Sequence, residues 1–139
     1  MKRFLILCIV SLLLSCNNDP MNEQINPLVG TWEDTWESQD SDLCKDQFIF
    51  STDNKVTRNL QDFLYSSTQG HSSKEPYNEN LHGTYQCDNS VITIVWESGN
   101  FNDRPVESPI NFVVDYSIKG NVLTMTFPTK STFTYKKIK

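Results

Sequence analysis

From residue 27 onward, apolar residues recur at every second position in short runs, and no stretch repeats with the period of a helix. The clearest run is Ile110 to Ile118, where Ile110, Phe112, Val114, Tyr116 and Ile118 share one face and Asn111, Asp115 and Ser117 the other. A period of two is the signature of a strand with one buried face. Seven more runs of this kind complete the pattern: Leu28 to Trp36, Asp46 to Ser51, Val56 to Tyr65, Leu81 to Cys87, Val91 to Glu97, Val122 to Phe127 and Ser131 to Lys136. Turn-forming residues separate several of them. They are Thr52 to Lys55, Asp88 to Ser90, Lys119 to Asn121 (where Gly120 supplies a positive φ) and Pro128 to Lys130. Two longer polar segments, Ser66 to Asn80 and Ser98 to Pro109, carry no apolar period and read as loops.

Parallel strands need long crossovers, usually helical, and this chain has no room for them. The prediction is therefore an all-β fold: an eight-stranded antiparallel up-and-down barrel, closed so that no edge stays open. A two-sheet sandwich is the alternative.

The first residues follow a different rule. Lys2 and Arg3 precede an apolar run from Phe4 to Leu14, about half the ~20 residues that a membrane-spanning helix needs. A positive start, a short apolar core and a small residue before the cut make a secretory signal. Leu13-Leu14-Ser15-Cys16 resembles the bacterial lipobox, which implies that Cys16 becomes the lipid-modified first residue of the mature chain. Multiple acyl chains anchor stably where one does not. The chain thus divides into a signal peptide (1–15), a lipidated Cys and polar flexible tether (16–26) and one barrel domain (27–139). The implied location is the cell envelope, anchored to a bacterial membrane, with the outer membrane favoured and the periplasmic or surface face left open.

Charge narrows the partners. Losing Lys2 and Arg3 takes the net charge from −5 to −7. An acidic domain is a poor match for nucleic acid, whose binding needs basic patches. The same net charge predicts repulsion from an anionic lipid surface, leaving the lipid as the membrane contact. Of four cysteines, Cys8 leaves with the signal and Cys16 takes the lipid. Cys44 and Cys87 remain in an oxidising compartment, which predicts a disulfide between them. A metal pair would need further ligands, and a redox dithiol usually sits two residues apart.

Asn26-Pro27-Leu28-Val29-Gly30-Thr31-Trp32 resembles the opening of lipocalin-like domains, where Gly-x-Trp starts the first strand. Cys44-Lys45-Asp46-Gln47-Phe48-Ile49-Phe50-Ser51-Thr52-Asp53 is similar to a stretch of the lipocalin-like domains in many Bacteroidetes lipoproteins, as Gly83-Thr84-Tyr85 is to a later strand. The resemblance implies that Gly30 and Trp32 close one end of the barrel. In lipocalins an Arg of the last strand stacks on that Trp; here only Lys136 and Lys137 are available for a weaker cation–π cover.

An eight-stranded barrel is either filled by side chains or holds one small ligand. Candidate ligand contacts on inward faces are Trp36, Arg58, Tyr85, Trp96 and Phe112, with Arg58 and Asp34 as polar groups able to pair with each other or with a ligand. His71 and His82 are isolated, so no metal site is expected. No catalytic triad, phosphate loop or dinucleotide fingerprint is visible, and neither catalysis nor a cofactor is expected. These features predict a monomeric, lipid-anchored barrel binding a small apolar ligand. The competing expectation is a solid-cored interaction module, such as an envelope inhibitor or accessory subunit. It would bind a protein or glycan through the two long loops.

Overall fold

A computed structural model describes residues 26–68, 71–101 and 103–139, with side chains placed for all of these except 67, 68, 71 and 72. The signal peptide, Cys16 and the tether before Asn26 lie outside the described residues. Nine strands follow in order: β1 (Gly30–Glu37), β2 (Leu43–Phe50), β3 (Lys55–Thr68), β4 (His71–Cys87), β5 (Val91–Phe101), β6 (Arg104–Pro105), β7 (Ile110–Lys119), β8 (Val122–Thr126) and β9 (Thr132–Lys137). Successive barrel strands pair antiparallel, with β4 on β5 and β5 on β7, and β9 returns to β1. Eight strands therefore close into an up-and-down barrel, and the short β6 folds back on the end of β5.

Alternation decides what goes inside. Phe48 and Phe50 of β2, Ile92, Ile94 and Trp96 of β5, Val114 of β7, Leu123 and Met125 of β8 and Tyr135 of β9 are all buried. The aromatic rings meet edge-on as well as stacked; Phe48 and Tyr135 lie 5.4 Å apart at 81°. Left-handed backbone closes the turns at Asn54, Gly120 and Lys130, where Asn and Gly carry little penalty and Lys more.

One end of the barrel is shut. Leu28 and Trp32 are fully buried there, and the Trp32 indole N–H donates to the Leu28 carbonyl at 2.7 Å. Lys137 lies 5.1 Å above the Trp32 ring centroid, so a lysine does cover the tryptophan. Gly30 sits at φ +138°, and a Cβ there would meet Lys139 O at 2.5 Å; only glycine lets the last segment pass so close. Gly83 marks a second close approach: its Cβ would fall 2.0 Å from the Val95 carbonyl oxygen, at the bulge between His82 and Gly83.

The two predicted loops are strands in large part. β3 and β4 run on past the barrel as a two-stranded ribbon, paired from Gln61 and Asn78 to Thr68 and His71. Main-chain pairing needs no apolar alternation, so a ribbon solvated on both faces leaves no period to read. It is tied down by Lys74, which lies 4.3 Å from the Phe63 ring centroid and pairs with Asp40 at 3.4 Å and with Asp42. Likewise β5 runs to Phe101, and Arg104–Pro105 returns along it.

The expected disulfide does not form: Cys44 and Cys87 are both free thiols. Topology explains this. Lys45, next to Cys44, lies level with Gln61 of β3 and through it with Asn78 of β4. Cys87 is nine residues further along β4, roughly 30 Å at strand spacing, whereas a disulfide needs Cα atoms within about 7 Å. Parity and compartment made the pair plausible, but register puts the thiols at opposite ends. A reducing agent should leave the melting temperature of the purified chain unchanged, and denatured chain should bind two equivalents of a maleimide at Cys44 and Cys87 without prior reduction. A melting temperature that drops on reduction would contradict this register.

Candidate ligand site at the barrel mouth

Away from Trp32, the filled core ends at an ion cluster. Arg58 of β3 faces inward and takes two carboxylates, one from each neighbouring strand. Its Nε and Nη2 donate to the two oxygens of Asp46 at 2.9 Å each, and Nη1 donates to Glu79 Oε2 at 3.0 Å. The register explains the geometry: Leu60 of β3 is level with Asp46 of β2 and with Glu79 of β4. Arg58, two residues before Leu60, reaches diagonally to both. Tyr135 donates to Asp46 Oδ2 at 2.9 Å, and Tyr77 hydrogen-bonds to Glu79. The guanidinium also lies 5.4 Å over the Phe48 ring.

This fork-on-carboxylate pairing is the strong form of a charge-assisted hydrogen bond. Asp46 and Glu79 are each 4% exposed, and removing one partner of such a buried set costs about 3–5 kcal/mol through the charge left behind. Burial acts to lower the Arg58 pKa, but the hydrogen bond and charge of Asp46 and the charge of Glu79 outweigh it and hold the group above its ordinary value. Burial, followed by the Asp46 charge, pushes the Tyr135 phenol well up. Asp34 is raised by burial and by the nearby Asp46 charge.

Above the cluster the barrel opens into a concavity of about 380 Å³ lined by Arg58, Phe101, Phe112, Phe127, Pro128, Thr129, Ser131 and Phe133. Two edge-to-face phenylalanine pairs form its walls, Phe101 with Phe112 at 6.1 Å and Phe127 with Phe133 at 5.7 Å. Phe133 is 44% exposed although its strand-mate Tyr135 is buried. An apolar wall with a few fixed polar groups, in this size range, is the makeup of a small-molecule pocket. A larger groove of about 520 Å³ runs under the β5–β6 arm and shares Phe101, but its lining mixes Arg104, Glu107 and Ser108 with apolar groups.

Of the five candidates from the sequence, Arg58 and Phe112 meet in this mouth. Trp96 lies just below, 3% exposed, its ring 6.3 Å from Phe48. Tyr85 belongs to the closed end, packed 5.0 Å from Phe50 and donating to the Ser51 carbonyl at 2.9 Å. Trp36 is half-buried on β1 opposite Cys44 and does not line the mouth. Arg58 pairs with Asp46 and Glu79, not with Asp34. Asp46 could have been read from its alternation with Phe48 and Phe50; Glu79 and Phe101 were hidden inside segments read as loops. His82 points outward, its Nδ1 3.3 Å from the Thr57 hydroxyl. Among the described residues no three metal-ligating side chains converge.

No protein-family model matches the chain, and no curated protein matches it.

Tyr135 yields a pH dependence. Its phenol is raised in the folded protein above its unfolded value near pH 10, so folding favours the neutral form. That contribution is complete below pH about 10 and is lost as pH rises further. Denaturant midpoints from pH 7 to 11.5 should fall more steeply for the native chain than for Tyr135→Phe. Parallel curves would contradict a buried Tyr135–Asp46 bond.

Proposed function

We propose that this chain is a lipid-anchored envelope protein of lipocalin-like architecture that holds a small apolar ligand in the mouth of its barrel. The observation that carries this reading is the mouth itself: four phenylalanines around an opening whose floor is a paired arginine. Phe133 is exposed within a contiguous apolar patch with Phe101, Phe112 and Phe127, the kind of surface that marks a ligand groove where a lone exposed side chain does not. The filled lower barrel leaves no need for a deep carrier cavity; the ligand would be short and would sit at the rim. Three of the five guanidinium N–H groups are engaged by Asp46 and Glu79, so Arg58 retains donors for one polar atom of the ligand.

The lipobox-like Leu13-Leu14-Ser15-Cys16 and the Gly30-Thr31-Trp32 opening support the envelope and lipocalin-like parts of the proposal. The second reading, an interaction module, draws on the β3–β4 ribbon, where Leu64 is 51% and Tyr65 39% exposed. Such a ribbon offers both side chains and strand edges to a protein partner.

The neutral apolar fluorophore N-phenyl-1-naphthylamine separates the two. It should bind the native chain saturably. Phe112→Ala and Phe133→Ala should each weaken it by about tenfold, the loss expected for ~1.4 kcal/mol of buried apolar contact. Leu64→Ala should leave it unchanged. Binding that ignores both phenylalanine changes would overturn the mouth as the site.

A further inference from the structure

Net charge hides a strong asymmetry. Between Asn26 and Lys139 the sequence has ten Lys or Arg and fifteen Asp or Glu. Four of the ten cations, Lys55, Lys119, Lys137 and Lys139, lie in or beside the turns and terminal segment that surround the closed end. Asp115 stands level with Val91 beside the 88–90 turn, and of the fifteen acids Asp53 and Asp88 alone lie within those turns. Both are turned back on their own loops: Asp53 accepts from the Ser51 hydroxyl, and Asp88 accepts the Ser90 and Val91 amides at 2.9 and 2.8 Å. The excess negative charge therefore belongs to the barrel wall, the ribbon and the mouth. Ile138, flanked by Lys137 and Lys139, is 49% exposed at the same end.

The chain also enters here. Asn26 reaches the closed end, its side-chain amide donating to Cys87 Sγ at 3.2 Å. Ten peptide steps separate it from Cys16, a reach of at most about 35 Å. We propose that the lysine-ringed closed end docks on the anionic surface of the membrane that holds Cys16, so that the phenylalanine mouth faces away from the bilayer. This rests on the lipid-anchor reading. Clustered lysines beside a membrane anchor are drawn to anionic headgroups over a Debye length, and an exposed isoleucine among them can enter the interface. The mouth would then exchange its ligand with the aqueous side or with a partner, not with the host leaflet.

Hydrogen–deuterium exchange on the full chain tests the orientation. The chain is reconstituted into vesicles of phosphatidylcholine alone or with one-third phosphatidylglycerol. With the anionic lipid, amides in turns 52–54, 88–90 and 119–121 should slow by about fivefold or more, while those at 129–131 keep their rates. High salt, or the double change Lys119→Gln and Lys139→Gln, should abolish the slowing. Unchanged closed-end rates, or slowing at the mouth, would overturn the proposal. The intact mass of the same sample reports the lipid on Cys16 separately. If Cys16 is bare, the anchor reading fails, and the same comparison on chain held by an N-terminal histidine tag on nickel-chelating lipid still decides the orientation.

Discussion

The grip of Asp46 and Glu79 on Arg58 is the constraint around which this barrel is arranged. A guanidinium placed over Phe48 and beside Tyr135 is tolerable only because both flanking strands bring a carboxylate to it. Meeting that condition needs β2, β3 and β4 in one register, since a slip of one residue in any of them would turn that strand's charge outward and leave its partners buried without it. The cluster thereby pins the register of half the barrel. It also divides the interior: toward Trp32 the space is filled by apolar side chains, while toward Phe133 it opens.

The pattern of strands was legible because each barrel strand has one buried face, and burial writes a period of two into the sequence. The closed end was legible too. Gly30, Trp32 and a lysine over the indole follow from a short opening motif and from the lack of an arginine in the last strand. The ribbon was not, because residues 62–66 and 73–78 are exposed or half-buried with no fully buried face to write a period. That one omission hid Glu79, and with it the reason Arg58 can be inside. The cysteines failed differently. Counting them says whether a pair exists, but only register says whether the pair can meet, and here it separates Cys44 from Cys87 along most of β4.

The same geometry organises the proposed function. The tether side carries Trp32, Ile138 and the lysines Lys55, Lys119, Lys137 and Lys139; the far side carries the phenylalanines and the ribbon, and most acids lie on the wall, ribbon and mouth. A sealed base and an open, aromatic mouth suit a protein held by one end and working at the other. The acidic wall would discourage lateral contact with the same membrane without opposing attachment at the base.

The central claim is that ligand meets this protein at the Arg58 floor and not deeper. The most direct test is a nitrogen–proton NMR spectrum of the side chains during titration with N-phenyl-1-naphthylamine. The Arg58 Nε–H signal should be protected from solvent exchange and should shift with saturation. The Trp32 indole signal, sealed against the Leu28 carbonyl at the other end, should stay fixed. A titration that moves Trp32 and leaves Arg58 unmoved would place the ligand elsewhere and contradict the account.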